Sequence, residues 1–282
     1  MRKFKLQTLT AVLLSLFFLA GCIESAKTRK TAQPNDASSQ ETWTVKLMTY
    51  NVHHCNPPSK EKIGTIEIDA ITRVIASASP DIVFLQEIDD HNSRSGKDIN
   101  EAEVIAKQLG MNFCFGKAID FAGGGYGVAI LSKYKLSGSR VYYLPKEMNI
   151  KSEQRILLTA ELTRSNGRKI RLACTHLDVV STENRMQQSF KIAEISAQDT
   201  LPVILAGDFN DSQKSKALVN LGKTFNLGCS SCLPTVPSDK PTDAIDFILT
   251  DKKYHWKVLS WSVAEDTYAS DHRPVISELL LK

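Results

Sequence analysis

Five short apolar runs in this chain each carry, or end on, a polar residue able to do chemistry, and this pattern constrains the fold more than any other feature. Val45-Lys46-Leu47-Met48-Thr49-Tyr50 ends at Asn51, Asp81-Ile82-Val83-Phe84-Leu85-Gln86 at Glu87, and Ile170-Arg171-Leu172-Ala173-Cys174-Thr175 at His176. Val203-Ile204-Leu205-Ala206 runs into Gly207-Asp208-Phe209-Asn210, and Ala244-Ile245-Asp246-Phe247-Ile248-Leu249 holds a carboxylate within the run. Runs of this length read as strands leaving a core. Alternate residues of an extended chain share a face, so Asp208 and Asn210 emerge on one side. An Asp inside an apolar run needs a partner, because an isolated buried charge is too costly. His272, in Ser270-Asp271-His272-Arg273-Pro274, is the candidate. Carboxylates, amides and histidines at strand ends suit hydrolysis of a phosphate ester.

Apolar spacing predicts helices over 66–78, stopping at Pro80, and over 102–109, stopping at Gly110. A third is predicted over 183–196 behind Ser181-Thr182, a capping pair. Strands and helices mixed without strict alternation argue for two sheet layers flanked by helices. A chain of 282 residues, 42% of them hydrophobic, is ordinary for one large domain. Gly123-Gly124-Gly125 reads as a turn before the Tyr126 strand, since no Lys-Ser pair or helix follows as a phosphate-binding loop requires.

Residues 1–21 read as an export leader: Arg2, Lys3 and Lys5 precede an apolar stretch from Leu9 to Leu19, too short for a comfortable membrane span. Leu19-Ala20-Gly21-Cys22 resembles the bacterial lipoprotein box, which implies cleavage before Cys22 and lipidation there; an ordinary secretory signal is the alternative. Residues 22–43 then form a polar tether and 44–282 the folded domain. The protein is thus expected outside the cytoplasm on a membrane, the outer one if the cell is Gram-negative. There Cys229 and Cys232 either close a small loop or remain free thiols, while Cys114 and Cys174 read as core residues.

Six ordered motifs between about residues 44 and 280 carry a family resemblance: Thr49-Tyr50-Asn51, Leu85-Gln86-Glu87, Tyr126 to Ser132, Thr175-His176-Leu177, Gly207 to Asn210, and Asp246 with the Ser270 to Pro274 string. Together they resemble the endonuclease/exonuclease/phosphatase superfamily, which includes DNase I, AP endonucleases, neutral sphingomyelinases and inositol polyphosphate 5-phosphatases. The resemblance implies a four-layered α/β/β/α sandwich whose strand ends converge at one edge.

It also implies roles. Glu87 would hold Mg²⁺, with Mn²⁺ as a substitute, helped by Asn51 and Asp271; hard oxygen donors suit that ion. Asp208 would orient or deprotonate the attacking water with Asn210 beside it. His272, made more basic by Asp246, would face the scissile phosphate, and His176 would be a second phosphate-contacting histidine. Arg155 is either a phosphate contact or an exposed salt bridge. His53 and His54 either contact substrate or are solvated. Arg185 and Gln188 read as structural.

Loss of residues 1–21 would leave 32 basic against 31 acidic residues, a net charge of +1. Such a domain lacks the basic footprint of a polyanion-gripping protein, so nucleic acid is not favoured. The first expectation is a monomeric, membrane-tethered phosphodiesterase acting on phospholipid or inositol-phosphate type head groups. A surface nuclease is the second, and a non-enzymatic surface lipoprotein the third.

Overall fold

The computed structural model describes residues 42–148 and 151–282. The expected leader, Cys22 and most of the tether lie outside the described residues. In chain order the elements are β1 (Trp43–Asn51), α1 (Ile68–Ala78), β2 (Ile82–Asp90), α2 (Glu101–Leu109), β3 (Asn112–Phe121), β4 (Gly124–Ser132), β5 (Leu136–Tyr143) and β6 (Ile156–Thr163). There follow β7 (Lys169–His176), α3 (Thr182–Gln198), β8 (Val203–Asp208), α4 (Lys216–Leu221), β9 (Phe225–Leu227), β10 (Asp246–Asp251), β11 (Trp256–Val263) and β12 (Val275–Leu281).

The strands form two six-stranded sheets, ordered β11-β12-β1-β2-β4-β3 and β5-β6-β7-β8-β10-β9. Within each, one central pair is parallel, β1 with β2 and β7 with β8, while the remaining neighbours run antiparallel. Parallel neighbours end at the same edge of a sheet, so Asn51 arrives beside Glu87 and His176 beside Asp208. That is the location where open sheets hold ligands.

Three apolar layers hold the sandwich. Between the sheets lie Leu47, Phe84, Ile130, Leu158, Leu172, Ile204 and Ile248. Outside the first sheet, Met48, Val83, Leu85 and Ala129 pack on Ile71 and Ile75 of α1 and Ile105 of α2. Outside the second, Leu157, Leu205, Phe247 and Leu249 pack on Ile192 of α3 and Leu218 of α4. Both faces of the central strands are therefore buried, so these strands read as continuous apolar runs, whereas the edge strands β5 and β11 stay largely exposed. This is the expected α/β/β/α arrangement.

The three predicted helices form within two residues of their expected limits. Asn100 caps α2 through Glu103 N and Ser181 caps α3 through Asn184 N, while Gly110 ends α2 in the left-handed region. Helix α4 has only six residues, too few for a periodic signal. Asp246 opens β10 instead of lying within it, because Thr235 to Asp243 fold back as a bridged loop that claims the preceding residues. Cys229 and Cys232 form a disulfide, and Cys174 and Cys114 pack between the sheets.

Candidate active site

Glu87 sits where β2 bulges, its register with β4 shifting between Gln86 and Ile88. Its φ is 61°, uncommon for a residue with a side chain. The bulge turns the carboxylate from the sheet towards Asn51, whose Nδ2 donates to Glu87 Oε1 at 3.0 Å and to Asp208 Oδ2 at 3.0 Å. Asn51 thus ties the ends of the two parallel pairs together. Its Oδ1 accepts from His53 N, so it presents nitrogen, not oxygen, to the carboxylates.

Asp208 lies beside Asp246 in the β8–β10 ladder. Directly before it, a Cβ on Gly207 would fall 1.9 Å from Thr175 O, so only glycine lets β8 close on β7 there. Asn210 takes a φ of 49°, with its N–H donating to Asp208 Oδ1 and its Nδ2 to Leu177 O. His272 Nδ1 contacts Asp246 Oδ2 at 2.8 Å, an oxygen that also accepts from Thr235 Oγ1 at 2.6 Å. Ser270 Oγ donates to Asn51 O at 2.7 Å and anchors the C-terminal string to β1. The Nε2 atoms of His176 and His272 stand 3.5 and 3.8 Å from Asp208 Oδ2.

The two histidines hold different charge states, one cationic and one neutral. Burial would lower His272, but the charge and hydrogen bond of Asp246, with Asp208 beyond, push it up to about 10, so it is an imidazolium. Burial and the Arg155 guanidinium drive His176 well below its ordinary value, so it is neutral. Arg155 Nη1 lies 3.4 Å from His176 Nδ1, which therefore accepts and leaves Nε2–H facing Asp208. Burial, then the negative charge of Asp246, raises the Asp208 carboxyl. Burial would raise Glu87 too, yet it is held well below the carboxylate range. With His176 neutral, His54 and Asn51 are the partners that keep Glu87 ionised.

A pocket of about 400 Å³ opens over these groups, lined by Glu87, Asp208, Asn210, Asp271, His176 and His272, with Arg155 in its wall. Arg155 is 5% exposed and Glu153 Oε2 lies 3.4 Å from its Nη2, so it is a buried wall residue with one exposed carboxylate partner. His53 is not among the lining residues: its Nδ1 pairs with Asn56 O, and the neighbouring His54 is the one facing Glu87, 3.8 Å from Oε2. Tyr126, Lys151, Val179 and Val180 also line the pocket. Tyr126 opens one of the six motifs but carried no expected role of its own, and no sequence signal marked Thr235.

The donor chemistry fits a divalent cation. Glu87 and Asp271 bring hard oxygens to one pocket, as Mg²⁺ requires. A second group, Asp208, Asp246 and His272, offers atoms within 4.8 Å of one another. That mixed set of oxygen and nitrogen suits a transition ion better, and its His272 and Asp246 atoms are already bonded to each other.

Two sheets whose parallel strand ends meet over a carboxylate–histidine pair define a DNase I-like α/β/β/α sandwich. The model of the Endonuclease/Exonuclease/phosphatase family matches residues 48–272, and the chain belongs to that family. Its members are hydrolases acting on phosphoester bonds, generally with a divalent metal. The uncharacterized protein YbhP of Escherichia coli strain K12 is 22% identical over 255 residues, covering 86% of this chain and 98% of that protein. The solved endonuclease/exonuclease/phosphatase of Bacteroides vulgatus superposes with a TM-score of 0.68 at 20% identity, covering 85% of this chain and all of that one. The mannosyl-6-phosphatase of Bacteroides thetaiotaomicron superposes with a TM-score of 0.64 at 19% identity, covering 83% of this chain and 99% of that one.

Proposed function

We propose that this protein is a Mg²⁺-dependent phosphodiesterase that hydrolyses its substrate by in-line attack of water, tethered through Cys22 to a membrane outside the cytoplasm. The observation that carries the reading is the convergence of an imidazolium, His272, and a neutral Nε2–H donor, His176, on one oxygen of Asp208. A phosphoryl group in the pocket would meet a cation from one histidine and a hydrogen-bond donor from the other. Asp208, bonded to Asn51 and Asn210, is placed to accept the proton of the attacking water. Asp246, itself held by Thr235, pairs with Nδ1 of the His272 imidazolium and leaves Nε2–H as the proton available to the leaving oxygen. Arg155 adds positive charge to the wall. Glu87 and Asp271, with Asn51 bracing Glu87, would hold the metal ion, which when bound neutralises charge on the phosphoryl oxygens.

A phospholipid or inositol-phosphate type head group is the favoured substrate, supported by the near-neutral charge of the folded domain and the expected tether. The test compares hydrolysis of phospholipid vesicles and of plasmid DNA by the purified protein with Mg²⁺, with EDTA, and as Asp208→Asn. Metal- and Asp208-dependent release from lipid alone supports the reading. Cleavage of DNA alone replaces it with a nuclease, and no cleavage of either overturns it.

A further inference from the structure

The mouth of the catalytic pocket carries two aliphatic side chains that the fold holds in the open. Val179 and Val180 are 62% and 57% exposed, yet both line the same pocket as His176 and His272. Single exposed apolar residues on loops call for no explanation. These two differ because the loop bearing them cannot relax inward. Asp178, 1% exposed, accepts from Val180 N at 2.6 Å and Ser181 N at 2.7 Å through Oδ1, and from Asn184 Nδ2 through Oδ2. Arg185 Nη1 donates to Asp178 O and Val179 O, and Arg185 Nε donates to Asp211 Oδ2 at 3.0 Å, one residue beyond Asn210. Gln188 Oε1 accepts from Asp178 N. A buried polar network therefore fixes the backbone on both sides of the two valines and ties it to the segment that follows Asp208. Arg185 and Gln188, read from sequence as structural, are the clamp.

We propose that Val179 and Val180 form a subsite for an aliphatic group attached to the scissile phosphate, such as the alkyl portion of a lipid-type phosphoester. The inference rests on the phosphoesterase reading above and deepens it. Continuity places the occupant: the valines border the phosphate-facing groups, so whatever packs on them is carried by the same substrate molecule. The chemistry of the rim selects its kind. Proteins that hold single-stranded nucleic acid stack bases on aromatic rings and follow the strand with positive charge. Here Tyr126, 9% exposed, is the lining Phe, Tyr or Trp, and the rim cation Lys151 shares the pocket wall with the carboxylates Glu87, Glu153 and Asp271. Branched aliphatic side chains have no face for stacking but pack well against methylene groups. Being stiff at χ1, they also lose little freedom when covered.

The test measures binding of methylphosphonate and hexylphosphonate, which share the head group and differ in alkyl length, to the purified protein in Mg²⁺ by calorimetry. Three proteins are compared: the native chain, Val179→Ser/Val180→Ser, and His272→Ala. The native chain should bind hexylphosphonate about tenfold more tightly than methylphosphonate, the effect of covering roughly one valine side chain's worth of apolar surface. The double serine variant should lose that preference while keeping its methylphosphonate affinity. An equal preference in native and serine proteins, or none in the native chain, overturns the subsite. If binding of both ligands still weakens in His272→Ala, the phosphate reading stands without it. Failure of both phosphonates to bind overturns the two readings together.

Discussion

Replacing Glu101 by Gln should stabilise the protein at neutral pH and flatten its stability profile between pH 5 and 8. Glu101 opens α2 with no exposed surface, its Oε2 accepting from Asp89 N at 2.8 Å and its Oε1 buried without a partner. Burial, opposed by the Asp89 amide that favours the ionised form, pushes this carboxyl up to about 8. In an unfolded chain the same group titrates near ~4.3. The sign follows from the raised value. Below pH ~4.3 both states hold the proton and stability is at its full value. Between there and about 8 the unfolded chain releases a proton that the folded chain keeps, so stability falls by about 1.4 kcal/mol per pH unit; above about 8 both states are ionised and the loss levels off. The loss is about 1 kcal/mol at pH 5 and about 3.6 kcal/mol at pH 7. Glutamine keeps an acceptor for Asp89 N and cannot ionise. Urea unfolding of both proteins at pH 5, 6, 7 and 8 should therefore show the variant gaining about 2.5 kcal/mol on the native chain from pH 5 to 7. Asp208, also raised by burial, titrates in both proteins and cancels in the difference. Parallel curves would show that Glu101 does not carry the proton.

Removing Thr235 Oγ1 as Thr235→Val should lower kcat about tenfold with KM little changed, since the hydroxyl holds Asp246 and Asp246 holds His272; an unchanged kcat on a soluble phosphodiester would remove Thr235 from the catalytic arrangement. Glu87→Gln should weaken Mg²⁺ binding, read by calorimetry, at least 10-fold, because it removes an ionised hard-oxygen ligand; equal binding would move the ion to another set of donors. Gly207→Ala places a Cβ against Thr175 O and should destabilise by about 3 kcal/mol or more through displacement of the β7–β8 pair, so an unaltered thermal midpoint would contradict the packing. Arg94→Met strips a bidentate partner from buried Asp89 and should destabilise by about 3 to 5 kcal/mol. Asp89→Asn in that background should recover part of the loss; strictly additive losses would show that the two groups do not act as a pair.

How far the sequence revealed the site depended on whether a residue's role follows from its own neighbours in the chain. Asn51, Glu87, His176 and Asp208 were legible because each ends an apolar run, and the ends of parallel neighbours must meet. Thr235 was not, because it reaches Asp246 from a bridged loop with no apolar period. Of the two adjacent histidines, His54 faces Glu87 because three successive residues, His53 to Cys55, turn through positive φ, and that sequence carries no glycine to announce it. Asn51 was expected to offer oxygen to a metal, yet which way an amide turns depends on contacts across 157 residues of chain, here with Asp208. The flanking helices were legible from 3.6-residue spacing and caps, whereas α4 at six residues was too short to show a period.

The backbone strain of this fold is concentrated at its chemistry. Among the described residues, four of the eight non-glycine positions with positive φ are His53, His54, Glu87 and Asn210, all at or beside the strand ends that build the pocket. Each such conformation costs on the order of 1 to 3 kcal/mol and persists only where its surroundings over-determine it. Those surroundings are identifiable: Asn51 accepts from His53 N and donates to Glu87, Asp208 accepts from Asn210 N, and the Asp89, Arg94 and Ser95 cluster pins β2 just past the bulge. Three buried apolar layers offset this local strain. The sheets can thus be built from ordinary strand residues, while the few positions beyond their ends are held in conformations that a less constrained loop would abandon. Placement of Glu87 and Asp208 on one shared amide, Asn51, is what that expenditure achieves.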